Sequence, residues 1–412
     1  MTRRCFLALA ASQTVRAVPA GPVRITRITY APIDGRYHKF VTMNAVSQRP
    51  AGHTYVNHLV RIVTDQGMEG VGVMDYDRPS PELDTALKSL IGADPLVLYE
   101  MQNGRITGRN PSHAAVLGKY RHLDGPLFDL IGKLQQVPAW KLIGPGARSR
   151  VESYDATVYF SDLWFRDRGV RAVIEEVEEA AKKGYRGVKI KTGRGLRWMD
   201  SMEAGNARDL EVLRAARRAV GPNFRILTDA NNGYRNNREA AWRFLDQARE
   251  LNLYWFEEPL PETVADYTWL KDRMEQAGMR TLLADGENFR QLDSFRAYLQ
   301  PRRLIDALQL DIRRGGFVDC AEMARMGLAA GAVALPHNWG SQVGALMNLH
   351  MSRALENVVG AEDDRSTCDV ILAEGYVFRD GLWTLPDAPG LGIAVDEKTY
   401  RSKYQAKETV IT

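Results

Sequence analysis

The stretch "GYRGVKIKTG", residues 184–193, carries the reading of the fold. In a β-strand successive side chains point to opposite faces, so Val188 and Ile190 share one face while Lys189 and Lys191 share the other. Taken alone, these residues describe a strand with one wet face. The rest of the chain argues otherwise. Short apolar runs elsewhere also end on ionisable groups: "LTDAN" with Asp229 and Asn231, "WFEEP" with Glu257 and Glu258, "ADGEN" with Glu287, "LQLD" with Asp311, "LPHN" with His337 and "GAEDD" with Glu362. If the runs are parallel strands of one barrel, their ends converge on a single mouth, where such folds build active sites.

From residue 150 onward short apolar runs alternate with longer amphipathic ones. Strands are expected near 151–160, 187–191, 225–229, 253–257, 281–284, 305–310, 332–335 and 357–361, with helices such as 170–183, 203–220, 238–251 and 318–330 between them. Eight β-then-α units in about 210 residues fit an α/β chain built as a modified (β/α)₈ TIM-type barrel better than a doubly wound sheet. Ahead of it, "VRITRITYAPI", "TYVNHLVRIVTD" and "GMEGVGVMDY" read as β-segments, the last two joined tightly at Asp65-Gln66-Gly67. A polar connection over 34–53 is long enough to be functional. Helical spacing over 81–142 completes an α+β domain. The expected division is therefore 21–150 for that domain, 151–375 for the barrel and 376–412 for a turn-rich segment returning toward the first domain.

With 412 residues, 45% apolar and 26% charged, the chain can bury a large core and is neither disordered nor fibrous. A net charge of +4, with no basic block interleaved with aromatics, argues against nucleic acid as a partner. Cys5, Cys320 and Cys368 are too few and too scattered for a disulfide framework and form no CxxC motif. No segment offers the roughly 18 consecutive apolar residues of a membrane span. Residues 1–20 place Arg3 and Arg4 before a short apolar run and "RAVPA", which resembles a twin-arginine export signal with Ala20 as cleavage point. Export to the periplasm is the expectation, a cytoplasmic location its alternative.

Carboxylates Asp229, Glu257 and Glu287 on neighbouring strands make an all-oxygen set suited to a hard cation such as Mg²⁺, which would relieve their repulsion. In strand order the lysine pair precedes them and His337 follows, with Asp311 one strand earlier and able to orient the imidazole. Lys189 and Lys191 are expected to lower each other's pKa by like-charge repulsion, which makes a lysine usable as a base. Such a site suits abstraction of the proton on the carbon next to a carboxylate, with the metal stabilising the enediolate.

These residues, with "FDLIGKLQQVPAWKLIG" before the barrel and "PGLGIAVDE" near the end, resemble the enolase superfamily and within it the mandelate racemase subgroup. The superfamily's Lys or His base with Mg²⁺ is a known pattern of proton abstraction. The resemblance implies Asp229, Glu257 and Glu287 as metal ligands, Lys191 as one base with Lys189 beside it, and the His337–Asp311 dyad as the second base or acid. It implies Glu362 as a protonated donor to the enolate oxygen and Asn231 as a polar neighbour of the metal. The residues alone do not choose between Glu257 and Glu258, between Asp285 and Glu287, or among Glu362, Asp363 and Asp364. The first domain is implied to cap the barrel, with Tyr37, His38, Arg49 and His53 as candidates for reading the substrate, and the chain to be a homo-oligomer. The implied activity is dehydration of a sugar acid to a 2-keto-3-deoxy acid. The alternatives are a racemase or epimerase and a non-catalytic sugar-acid binding protein.

Overall fold

The computed structural model describes residues 21–74, 79–289 and 291–412. The expected leader over 1–20 and the end of the third β-segment lie outside the described residues. Residues 187–191 form a strand, Gly187–Lys191, buried at every position. Neither face is wet. Val188 and Ile190 belong to the main apolar core, while Lys189 and Lys191 are only 1% and 5% exposed.

Eight strands line the barrel: Arg150–Val158, Gly187–Lys191, Arg225–Asp229, Trp255–Glu257, Leu282–Asp285, Ala307–Leu308, Val333–Ala334 and Ala361–Asp363. The first seven pair in parallel in sequence order. An isolated bridge between Ala334 and Val358 and a parallel pairing of the eighth strand with the first, Glu362 opposite Tyr154, close the ring. Side chains of Tyr154, Ala156, Leu227, Trp255, Ala284, Ala307 and Leu335 fill its interior, so the barrel is packed rather than open. The sixth strand is shorter than expected. Its flanks still bond across, Asp306 N to Leu283 O at 2.8 Å and Gln309 N to Asp285 O at 2.9 Å, but without regular ladder geometry.

Helices Val170–Lys182, Met202–Val220, Arg238–Gln247, Val264–Gln276, Leu292–Arg296, Ile312–Ala329 and Gln342–Ala354 follow the first seven strands. After the eighth the chain runs through short strands before its next helix, the seven-residue Glu397–Lys403. "DRSTCDVILAEGY" has β-branched residues and no helical period, and the chain spends them on sheet. Thr367–Cys368 pairs with the first strand of the N-terminal domain, the hairpin Val377–Arg379 and Leu382–Thr384 extends the first barrel strand, and Thr409–Ile411 joins the N-terminal sheet.

The N-terminal domain supplies Ile25–Val41, Gly52–Thr64 and Glu69–Met74 to that five-stranded sheet, paired antiparallel. The expected loop over 34–53 is half strand: Asp34 lies opposite Val56 and Arg36 opposite Thr54, and only 42–51 remains as connection. Alternating burial, Gly35 and Tyr37 in, Arg36 and His38 out, is the two-residue period of a strand whose polar positions disguised it. Helix Asp124–Leu134 lies on the third strand at backbone contact. A Cβ on Gly70 would stand 2.1 Å from Pro126 O, and one on Gly72 would stand 2.3 Å from Pro126 Cδ.

Candidate active site

The end of the second barrel strand delivers two ammonium groups to a buried cluster of acids. Lys189 Nζ lies 2.9 Å from Glu257 Oε1, 2.9 Å from Glu362 Oε1 and 3.5 Å from Asp229 Oδ2. Lys191 Nζ pairs with Asp229 Oδ2 and stands 5.0 Å from the Tyr159 ring centroid. A buried charge is tolerated only when paired, and the pairs here come from strands two, three, four and eight.

The electrostatics follow from the counting. Burial works against the Lys189 charge, but Glu257, Glu362, Tyr154 and Asp229 outweigh it and raise its pKa well above the ordinary lysine value. The lowering expected from Lys191 therefore does not occur at Lys189, because the nearby carboxylates outnumber the neighbouring ammonium. Burial likewise opposes the Asp229 charge, yet Lys191 and Lys189 hold its carboxyl below the usual range. Glu257 is pushed up to about 8 by burial, against the pull of Lys189 and with Asp229 and Glu362 adding to the rise. Its Oε2 is buried with no hydrogen-bond partner. An acid surplus around one partnerless oxygen is what a divalent cation would relieve, so the residues present fit an oxygen-liganded metal.

On the far side of the ring His337 Nδ1 lies 2.9 Å from Asp311 Oδ2, and Nε2 lies 3.1 Å from Glu287 Oε2. Arg313 helps to hold Asp311 well below the usual carboxylate range despite burial. Burial disfavours the imidazolium, but Glu287, Glu362 and Asp311 raise His337 to about 9.

Alternation resolves the adjacent acids. Glu257 faces Lys189, whereas Glu258, with φ of 42°, turns to the Asn231 and Asn288 amides at 3.2 and 2.8 Å. Asp285 is buried and accepts from the Tyr267 hydroxyl. Glu258, Glu262 and Asp285 have ligand atoms within 4.8 Å of one another, a second acid trio beside the first. Asp229, Glu257 and Glu287 are not gathered in that way, because the lysines hold two of them and His337 draws off Glu287. Glu362 faces inward while Asp363 takes the Tyr185 hydroxyl at 2.7 Å and Asp364 accepts from the Gly340 amide. Glu362 Oε2 lies 3.3 Å from both the Tyr154 hydroxyl and the Asn338 backbone N–H, and Lys189 takes Oε1. Glu362 thus meets Lys189, Tyr154 and Asn338 at the mouth, and the Tyr154 hydroxyl also reaches Gln309 Oε1 at 3.1 Å.

Of the candidates on the N-terminal domain, Tyr37 stacks on Trp339, with centroids 4.8 Å apart at 23°, and Trp339 lies 5.0 Å from Tyr159. That aromatic group leads to Lys191. His38 points to the other face of its strand, 4.0 Å from Glu179 on the first barrel helix, and is lowered to about 4 by burial and the Arg365 charge. Arg49 and His53 are exposed, His53 standing edge-on to Phe40 at 5.3 Å. Among the described residues neither bonds to a strand-end group. Asn231 donates its backbone N–H to Asp229 Oδ1 at 2.8 Å, which steadies that carboxylate. Tyr154, Gln309 and Trp339 went unread in the sequence. Strand parity could have found two of them, because Tyr154 shares a face with Ala156, and Gln309 with Ala307 and Asp311.

Residues 172–399 match the family model described as Enolase C-terminal domain-like. The chain belongs to this family of the enolase superfamily. It is 28% identical over 297 residues to arabinonate dehydratase of Saccharolobus solfataricus, covering 69% of this chain and 71% of that protein. It is 29% identical over 362 residues to D-galactarolactone cycloisomerase of Agrobacterium fabrum, covering 82% and 88%. The structure of galacturonate dehydratase from a Geobacillus species, complexed with D-galacturonate and 5-keto-4-deoxy-D-galacturonate, is similar with a TM-score of 0.81 at 28% identity, covering 95% of this chain and 99% of that one. A mandelate racemase/muconate lactonizing protein from Geobacillus, complexed with magnesium/tartrate, gives 0.79 at 29% identity, covering 94% and 97%.

Proposed function

We propose that this protein is a lyase that dehydrates a sugar acid, with Lys191 and His337 as its proton-transfer groups. The observation that carries the reading is a pair of anchored groups at one barrel mouth: Lys191 on Asp229 from the second strand, and His337 on Asp311 from the seventh. Lys191 Nζ takes the proton α to the substrate carboxylate, and the C–H electrons pass into an enediolate. Lys189, fixed by Glu257 and Glu362, faces the charge that develops there. Asp311 occupies His337 Nδ1, so Nε2 delivers its proton to the β-hydroxyl as the C–O bond breaks and water leaves. The enol then becomes a ketone. Counted from the carboxylate, the product is an α-keto-β-deoxy acid. The 5-keto-4-deoxy compound bound to the Geobacillus dehydratase has that pattern, with the numbering run from the other end. Asp229, Glu257 and Glu287 would hold Mg²⁺, which supplies positive charge to the enediolate oxygens when bound.

The test is proton NMR of the full chain with Mg²⁺ in D₂O against aldonic, aldaric and uronic acids, galacturonate included. The expected result is loss of water with deuterium beside the new ketone, and a drop of at least about 10³-fold in both exchange and dehydration for Lys191→Ala, with ligand binding retained by calorimetry. Exchange with inversion and no loss of water would make the protein a racemase or epimerase. Binding without exchange would make it a binding protein. The same calorimeter checks the metal set: Glu257→Gln is expected to weaken Mg²⁺ and Glu262→Gln to leave it unchanged, whereas the reverse would put the ion in the second acid trio.

A further inference from the structure

We infer that the groove between the first and second strand–helix loops, beside the barrel mouth, binds a second carboxylate-bearing sugar unit, so that the protein accepts a uronic-acid saccharide longer than one ring. The groove has a volume of about 650 Å³, within the range of small-ligand pockets. Its walls include Met43 from the connection over 42–51, Trp164 from the loop after the first barrel strand, Trp198 and Met199 from the loop after the second, and Arg166 and Arg208. Both loops leave the strand ends that carry the mouth, the face on which barrels bind their substrates.

Two features decide the chemistry. Trp164 is 46% exposed although it stacks on Phe40, with centroids 5.4 Å apart at 27°. Phe40 stacks on the indole, and the exposed Trp164 also lines the groove. The Trp198 indole N–H donates to Asn44 O at 2.7 Å, which fixes the orientation of the second ring. Flat aromatic faces meet the C–H face of a sugar ring by dispersion.

The second feature is charge. Asp162 lines the groove between two arginines, Arg194 at 2.7 Å, which it shares with Asp209, and Arg208 at 3.9 Å, which also takes Glu211 at 3.1 Å. Arg166 has no carboxylate partner among the described residues, and its Nε reaches only Leu163 O at 3.4 Å. An unspent guanidinium beside an open indole matches a hexuronate unit, which has an apolar ring face and one carboxylate. A neutral sugar would leave the arginine unused.

The groove lies one packed layer of aromatic side chains from the proposed chemistry. Phe160 packs with Met43, Leu163 and Trp198, and its chain neighbour Tyr159 lies against Lys191. The orientation of the saccharide, reactive ring at Lys191 and second ring at Trp164, rests on the dehydratase reading; its binding does not.

Calorimetry on the full chain with Mg²⁺ would compare galacturonate, digalacturonate and neutral galactobiose. Digalacturonate is expected to bind at least tenfold more tightly than galacturonate, and galactobiose to show no such gain. Trp164→Ala should remove the gain and Arg166→Ala most of it, while the affinity for galacturonate stays unchanged in both, which also shows that the variants fold. Equal affinity for one ring and two, or a gain that survives both substitutions, would overturn the groove. Turnover of single-ring acids without a disaccharide gain would sink this inference alone. A gain lost in the two variants, without turnover of any acid, would sink the dehydratase reading alone.

Discussion

His337 shows how a single side chain couples the site to the stability of the fold. Burial disfavours its charged form, but Glu287, Glu362 and Asp311 surround it and bring its pKa to about 9 in place of 6.5. A histidine raised on folding contributes stability that is fully present below the unfolded value and is lost as pH rises through the folded one. In chelator-treated protein the contribution is thus complete below pH 6.5 and gone above about 9, on the order of 3 kcal/mol at 1.36 kcal/mol per unit. Thermal unfolding between pH 6 and 9.5 should show Tm falling with pH, and falling less steeply in His337→Asn. Parallel profiles for the two proteins would mean that the surrounding carboxylates do not stabilise the imidazolium. The position of His337 was legible because it closes an apolar run. Its neighbour Glu287 as a partner was not, because the side chain of a loop residue follows no strand parity.

Glycines on the third strand of the N-terminal sheet set how closely helix Asp124–Leu134 approaches. Gly70 and Gly72 lie on one face two residues apart, with Pro126 and Leu130 in direct backbone contact. Gly72→Ala is expected to force the helix away and to destabilise the protein by about 1–3 kcal/mol, the usual cost of overpacking. Urea unfolding would measure it, and an unchanged midpoint would show that the helix yields freely. Elements of this kind were legible in proportion to the length of their period. The 13-residue helix Val170–Lys182 has apolar positions enough to declare itself, and strand Gly187–Lys191 appears where its alternation predicts it. The two-residue strands Ala307–Leu308 and Val333–Ala334 lie inside the apolar runs expected at 305–310 and 332–335, but they are too short for a period to fix their bounds. The extension of the first strand through "DGRYHKFV" was hidden because its outward positions carry Asp34, Arg36 and His38 and look like a loop.

At the scale of the whole molecule, the chain ties its first domain to its last residues. Strand Thr409–Ile411 lies opposite Ile28–Tyr30, and Thr367–Cys368 lies opposite Gly35 and Arg36, so the C-terminal segment replaces the eighth helix with a tether to the N-terminal sheet. Across the mouth the ties are individual contacts rather than a shared sheet: the Asn57 amide on Gly340 O at 3.0 Å, Phe160 N on Met43 O at 2.9 Å, the Trp198 indole on Asn44 O at 2.7 Å, Lys39 with Glu176 at 2.8 Å and Tyr37 stacked on Trp339. The apolar interior of the barrel needs none of these contacts, because its ring closes through the first and eighth strands. Removal of residues 409–412 should therefore expose one edge of the first strand and loosen the N-terminal sheet while the barrel stays folded. Hydrogen exchange followed by mass spectrometry would read it as faster exchange over 25–41 and 52–64, with 187–191 and 225–229 unchanged. For substrates that the N-terminal domain covers, KM should rise more than kcat falls, since Lys191 and His337 stand on barrel strands and loops that the deletion does not touch. Equal acceleration in the barrel would instead show that the two parts unfold as one unit, with the C-terminal strand holding both.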